Sequence, residues 1–290
     1  MAVLPGDKNV APPCDPHESM IPAPPIALTI AGSDSSAGAG LQADLKTFAA
    51  HDVYGVCAVT AIVAEVPGSV ARVDAVSPTL LNAQLKSVQS TFSLSAVKTG
   101  MLATEGLVAA VIDFVRAQPR LPLIVDPVIR AGAGAELLDE AGLVLMKSGL
   151  LPLAHLITPN LPEAEILLGS PIRSADDFAA APRRIHERYG CDVLLKAGHF
   201  ASDDDTITDH AWIDGEVCLF SRPRLIVPDV HGTGCTLSAA IAARIARGED
   251  LVSAIDGATR YLAASLAQHH RWEGPGGRIE ALNAFPDGVE

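Results

Sequence analysis

Short apolar runs alternate along this chain with longer segments whose apolar residues recur at helical spacing. The first run, residues 26–31, stops at a glycine-rich loop over 32–40, the pattern of a buried strand feeding a turn. A helix is predicted from Leu41, because Leu41, Leu45 and Phe48 share one face. Residues 54–64, rich in Val, Thr and Ile, predict a strand that Pro67-Gly68 ends, and 70–76 alternate like an edge strand. The pattern then predicts helix over 78–91, strand over 96–99, helix over 104–117 and strand over 123–126. Helix over 139–148, strand over 155–158, helices over 161–168 and 175–189, and strand over 193–196 follow. Such alternation predicts a parallel sheet with helices on both faces. It breaks once, over 209–224, where Asp214-Gly215 between two β-like runs is a hairpin signal. Helices over 234–247 and 251–269 close the chain. The expected architecture is α/β, a single domain over residues 26–290 with a mostly parallel central sheet and a small antiparallel addition. The Pro-rich tail over residues 1–25 has no apolar periodicity and reads as disordered.

Composition narrows the partners. Hydrophobic residues make up 49% of the chain but aromatics only 4%, so the core is built mainly of Ala, Val, Leu and Ile, as suits helices on a parallel sheet. The net charge of −13 repels phosphate backbones, and no Lys/Arg-rich run reverses it locally, so nucleic acid is not an expected partner. No stretch reaches the ~18 apolar residues of a membrane span, and the N-terminus lacks a signal-peptide pattern. The expectation is therefore a cytoplasmic protein with no membrane partner. Its five cysteines are widely spaced and form no CxxC pair, which favours reduced thiols over zinc or disulfides.

Candidate chemistry sits at the predicted strand ends, where open α/β sheets bind ligands. Asp229-Val230-His231-Gly232-Thr233-Gly234-Cys235-Thr236 lies between a β-like run over 225–227 and a helix of small residues. Glycines permit a tight turn, and the first N–H groups of a helix suit an anion such as a transferring phosphoryl group. The helix start is expected to lower the Cys235 pKa and enrich its thiolate. The same residues also suit a plain cap followed by a buried cysteine. Residues 31–40 contain Gly38-Ala39-Gly40 but neither the full dinucleotide fingerprint nor the Gly-Lys-Ser/Thr of a P-loop. Asp44 is expected in the first turn of the next helix, beside a substrate or simply as an acid favoured there. Asp126, Asn160 and Glu163 offer oxygen ligands suited to Mg2+ carrying nucleotide phosphates, although Asn160 and Glu163 equally fit a capping box. Lys196 closes a buried strand and aims at a phosphate or faces solvent. His199, His210 and the pair His269-His270 form no spaced metal motif.

Together these segments resemble the ribokinase-like superfamily, and within it the hydroxymethylpyrimidine (phosphomethylpyrimidine) kinase branch of thiamine biosynthesis. The resemblance is carried by Leu28-Thr29-Ile30-Ala31-Gly32-Ser33-Asp34, Gly38-Ala39-Gly40, Gln42-Ala43-Asp44-Leu45-Lys46-Thr47, Lys98-Thr99-Gly100-Met101-Leu102, Asp126-Pro127-Val128, Thr158-Pro159-Asn160-Leu161-Pro162-Glu163 and His231-Gly232-Thr233-Gly234-Cys235-Thr236, all in family order. It implies two ATP-dependent phosphorylations, of 4-amino-5-hydroxymethyl-2-methylpyrimidine and then of its monophosphate. It further implies a small-molecule alcohol substrate, ATP, Mg2+ and a homodimer. By the same resemblance Gly232, Thr233 and Gly234 form an anion hole and Cys235 is catalytic, where the wider superfamily carries aspartate. Gly32, Asp44 and Met101 match positions around the pyrimidine. Asp126, Asn160 and Glu163 match the Mg2+–phosphate region, and Lys196 a nucleotide-side lysine.

One position departs from the family pattern. Glu65 stands where the pyrimidine kinases usually carry a glutamine that pairs with the aminopyrimidine. A glutamine amide both donates and accepts, whereas an ionised carboxylate only accepts. Glu65 can accept from the exocyclic amine, and it pairs with a ring nitrogen only if that nitrogen or the carboxyl carries a proton. A related branch that phosphorylates pyridoxal varies this same position, so a pyridoxal kinase is the nearest alternative. A thiol enzyme using Cys235 with His231, and a catalytically silent ligand-binding protein, are the rivals from other classes.

Overall fold

Alternate side chains along the apolar runs enter two different cores, which is why these runs are apolar on both faces. The computed structural model describes residues 22–130, 136–198, 205–225, 230–275 and 277–288. Its elements run β1 (Ile26–Asp34), α1 (Gly40–Ala50), β2 (Tyr54–Val66), β3 (Ser69–Ala75), α2 (Pro78–Thr91), β4 (Ala96–Thr99), α3 (Glu105–Arg116), β5 (Leu123–Val125), α4 (Glu140–Leu145) and β6 (Leu156–Ile157). Then come α5 (Leu161–Leu168), α6 (Ala175–Tyr189), β7 (Asp192–Leu195), β8 (Thr206–Ile213), β9 (Glu216–Pro223), α7 (Thr233–Ala246), α8 (Leu251–Ala267), β10 (His270–Gly274) and β11 (Gly277–Ala281). Strand β1 sends Leu28 and Ile30 into a core shared with α2, α3, α5 and α6, and Ala27 into a second core shared with α1, α7 and α8. Each fully buried Leu or Ile of this kind contributes about 1.5–3 kcal/mol.

Nine strands form one sheet in the order β3-β2-β1-β4-β5-β6-β7-β8-β9. The pairs from β2 through β7 are parallel, while β3 and the β8–β9 hairpin add antiparallel edges. The hairpin turns at Asp214 and Gly215, with φ of 51° and 84°, as a two-residue primed turn requires. The chain leaves β1 towards β2 on one side and returns to pair β4 on the other. Such a switch point opens a crevice beyond the carboxyl ends of the two strands.

Helices α2, α5 and α6 and strand β4 occupy the residues predicted for them. Strand β1 instead continues past Ala31 to Asp34, with a register shift against β2 between Ala31 and Gly32. The helix predicted over 139–148 is α4 followed by a π-helical turn, Met146–Leu150, and a 3-10 turn, Leu151–Leu153. The helix predicted to residue 269 ends at Ala267, and the β10–β11 hairpin takes over. That hairpin was not expected, because its strands are mostly exposed and rich in His, Arg and Glu. Residues 1–21 of the expected tail, His199, Asp229 and most of the run predicted over 225–227 lie outside the described residues.

Candidate active site

Two glycine turns meet at the switch point. In the first, the buried Asp34 carboxylate accepts hydrogen bonds from the Ser36, Gly38 and Ala39 N–H groups at 2.6, 3.0 and 2.8 Å. Burial works against this charge, but His231, the Ala39 N–H and Ser36 prevail and hold the carboxyl well below the usual carboxylate range. The second turn caps α7 through Gly232, at φ 88°. A Cβ on Gly232 would lie 1.9 Å from the Gly38 carbonyl oxygen, and one on Gly40 (φ 57°) only 2.4 Å from the Gly32 carbonyl oxygen. Any side chain at either position would push the turns apart. Gly232 also has no side chain to offer the first N–H groups of α7, which leaves them for an external acceptor.

Cys235 lies in the first turn of α7 and is half-buried. The expected lowering of its pKa is not found. Burial pushes the thiol up to about 11, and the Asp126 and Asp44 carboxylates push the same way. The Lys98 ammonium and a hydrogen bond from the Gly40 N–H oppose this without overcoming it. A helix terminus is a weak partial charge beside whole carboxylates.

Asp44 also differs from expectation. Helix α1 starts at Gly40 and its first turn holds no acid. The Asp44 carboxylate is wholly buried and accepts from Lys98 Nζ at 2.9 and 2.8 Å and from the Thr29 hydroxyl at 2.5 Å. Its carboxylate therefore has no exposed surface in this structure. Burial raises the Asp44 pKa despite Lys98, while the Asp44 charge outweighs burial and raises that of Lys98. Gly32 and Met101 are neighbours, since a Cβ on Gly32 would sit 3.2 Å from Met101 Sδ. Val63 flanks them both.

Glu65 does not face solvent. Its N–H donates to Ser35 Oγ at 3.0 Å and its carbonyl accepts from the same hydroxyl at 2.8 Å. Its carboxylate lies 3.9 Å from His231 Nε2, which is 3.6 Å from Asp34. One oxygen or nitrogen from each of these three residues falls within a 4.8 Å group. Burial raises the Glu65 pKa, the Asp34 charge and a hydrogen bond to it add to that, and His231 offsets part. Burial and the Asp34 charge thus make the Glu65 carboxyl a weaker acid than usual.

The other side of the α7 turn faces a cavity of about 1320 Å³ lined by Asn160, Glu163, Lys196, Arg222, Thr233 and Gly234 among others. Lys196 Nζ lies 3.1 Å from Asp126, and a Cβ on Gly234 would approach that same nitrogen to 3.2 Å. Lys196 is therefore not a solvent-facing edge lysine. The capping box anticipated for α5 is formed: Asn160 Oδ1 accepts from the Glu163 N–H at 2.9 Å, and Glu163 accepts from the Asn160 N–H at 2.8 Å. The box and the cavity wall are the same residues. Burial pushes the Glu163 carboxyl up to about 7, with Lys196 lowering it and Asp126 raising it. Cys235, Asp126, Asn160, Glu163 and Lys196 are thus brought to one end of the sheet, with Gly32, Glu65 and Met101 adjoining. Asp34 and Lys98 were not singled out from the sequence, although both lie within motifs that were, and His231 was named only as a partner for a nucleophilic Cys235.

Comparison with known proteins agrees with this geometry. The phosphomethylpyrimidine kinase family model matches residues 34–278. The chain is 42% identical over 243 residues to a hydroxymethylpyrimidine/phosphomethylpyrimidine kinase of Synechococcus elongatus, covering 83% of this chain and 91% of that one. A pyridoxal kinase of Staphylococcus aureus, solved with AMP-PCP and pyridoxal, superposes with a TM-score of 0.81 at 31% identity over 92% of this chain and 96% of that one. A phosphomethylpyrimidine kinase of Clostridium difficile superposes with a TM-score of 0.72 at 33% identity over 82% and 97%. With its ribokinase-like fold and its paired glycine turns, this chain belongs to the phosphomethylpyrimidine kinase family of phosphotransferases.

Proposed function

We propose that this chain transfers the γ-phosphoryl group of ATP to the primary alcohol of 4-amino-5-hydroxymethyl-2-methylpyrimidine, and then phosphorylates the monophosphate. The observation that carries this reading is the position of the uncapped α7 turn, with Thr233 and Gly234 on the cavity at Lys196 and, one residue before the turn, His231 beside Asp34 and Glu65. The alcohol oxygen forms a bond to the γ-phosphorus as the bond to the β–γ bridging oxygen breaks, and ADP leaves. N–H groups of residues 232–235 hold the transferring group as its charge shifts. The hydroxyl proton passes to the thiolate form of Cys235, which becomes the thiol. A resting thiol pKa of about 11 makes that form scarce at neutral pH.

The oxygens of Asp126 and Glu163 fit Mg2+, since a carboxyl raised to about 7 beside a second carboxylate marks negative charge that Lys196 alone does not balance. When bound there, Mg2+ supplies charge neutralisation to the nucleotide phosphates. Lys196 shares that work, and Asn160 holds the α5 N-terminus at the cavity wall. The Glu65 carboxylate accepts from the exocyclic amine of the aminopyrimidine, and it pairs with a ring nitrogen only when that nitrogen or the carboxyl carries a proton. The pyridoxal reading rests on the superposition with the Staphylococcus aureus enzyme.

ADP release with purified protein, ATP, Mg2+ and the hydroxymethylpyrimidine tests the reading. Pyrimidine-dependent release that ends on omission of Mg2+ is expected. Release that ignores the pyrimidine overturns it.

A further inference from the structure

Lys98 is a fully buried ammonium that the proposed transfer does not touch. It cannot meet solvent, ATP or the pyrimidine, so its charge acts within the protein. A buried ion pair is weak evidence for stability, because desolvation offsets much of the attraction. Its surroundings suggest another use. Helix α7 begins over the ends of β1, β4 and β5 and beside α1. The groups that face Cys235 from these elements are the Gly40 N–H and Asp44 from α1, Lys98 from β4 and Asp126 from the end of β5. Lys196, one residue beyond β7, acts on it as well. From β1 comes Thr29, whose hydroxyl is bound to Asp44. Without Lys98, two carboxylates would act on the thiol against Lys196 alone.

The same pair also fixes geometry. Gly40 donates to the Cys235 sulfur and opens α1, and Asp44, one helical turn later, is clamped to β4 by Lys98. Gly100 leaves room for the clamp, since a Cβ there would lie 3.1 Å from Lys98 Nζ. We infer that Lys98 is a positioning residue for Cys235: through Asp44 it holds α1 against β4, and its ammonium supplies the positive charge that faces the thiol from that strand. The catalytic part of this inference rests on the phosphoryl-transfer reading. The electrostatic part does not.

The test uses the full chain and a double variant, Lys98→Met with Asp44→Asn, which leaves neither charge buried and unpaired. Two quantities are measured: the rate at which iodoacetamide alkylates Cys235 at pH 8 without substrates, read on the Cys235 peptide by mass spectrometry, and the kinetic constants of the kinase reaction. Against Asp44→Asn alone, in which the carboxylate is already gone, loss of the ammonium is expected to slow alkylation about tenfold, the equivalent of one pKa unit. It is also expected to lower kcat about tenfold or more while KM for ATP stays within about threefold. A folded double variant that alkylates at the Asp44→Asn rate overturns the inference. If the double variant does not fold, Asp44→Asn alone decides. It keeps the ammonium and removes a carboxylate, so faster alkylation is expected, and an equal or slower rate overturns the inference. Absence of turnover in the wild type would sink the proposed function, while the alkylation rates would still decide what Lys98 does to Cys235.

Discussion

Lys98–Asp44 and Lys196–Asp126 join the same residue types at similar distances, 2.8 and 3.1 Å, and both act on Cys235. They differ in access. The first pair is sealed, with both side chains fully buried, whereas Lys196 is 13% exposed on the wall of the large cavity. A sealed pair cannot exchange partners, so its charges are fixed features of the fold. An open pair can let its lysine turn to a phosphate and its aspartate to a cation. The same pair of residue types is thus sealed into the scaffold at β4 and left at the edge of a cavity just beyond β7.

The comparison breaks most readily at its lysines. Lys98→Met strands a carboxylate in the core and is expected to cost about 3–5 kcal/mol in urea unfolding. Lys196→Met leaves Asp126, only 4% exposed, without its partner near the cavity edge, and a smaller cost of about 1–3 kcal/mol is expected there, with the damage falling on ATP turnover. Equal losses of stability would erase the distinction.

Cys235→Ala bears on the residue between the two pairs. A fall in kcat of about 10²–10³-fold is expected, with ATP binding retained. Near wild-type turnover would remove the cysteine from the mechanism. If the thiolate takes the proton, wild-type kcat also climbs about tenfold per pH unit from pH 7 to 9, still below the thiol pKa. A flat profile would leave the thiol only an orienting part.

Glu163 sharpens the open side. Its pKa of about 7 in the folded state exceeds the ordinary 4.5, so the folded protein binds this proton more tightly than the unfolded chain. The associated stability is present below about pH 4.5 and lost as pH rises through about 7. Metal-free protein is therefore expected to unfold at lower urea at pH 8 than at pH 5, and Mg2+ to restore part of the loss at pH 8. A Glu163→Gln variant that kept the full pH dependence would show that another group causes it.

Much of this was legible in the sequence where the signals are local. Ser77 before Pro78, Asn160 with Glu163 and Ser174 with Asp177 cap α2, α5 and α6, and left-handed Gly169 and Gly190 end the last two. Those helices fell where the sequence pattern put them. The β10–β11 hairpin carries no buried stripe and left no pattern to read. In the site, contacts made within one motif were legible, such as the Asn160–Glu163 capping box. Residues that act by meeting across the fold were not. Nothing local reveals that Lys98 reaches Asp44, that His231 stands between Asp34 and Glu65, or that two carboxylates and burial reverse the expected shift at Cys235.

The smallest expected effect concerns Glu65. Glu65→Gln is expected to keep pyrimidine turnover within about threefold and to remove any rise in pyrimidine KM as pH climbs and the carboxyl ionises. A KM that still rises with pH in that variant would place the titrating group elsewhere.

The most direct test of the account is a side-by-side measurement of kcat/KM for the hydroxymethylpyrimidine and for pyridoxal, with ATP and Mg2+ held constant. The account predicts a clear preference for the pyrimidine. A clear preference for pyridoxal would contradict it and reassign the pocket around Glu65.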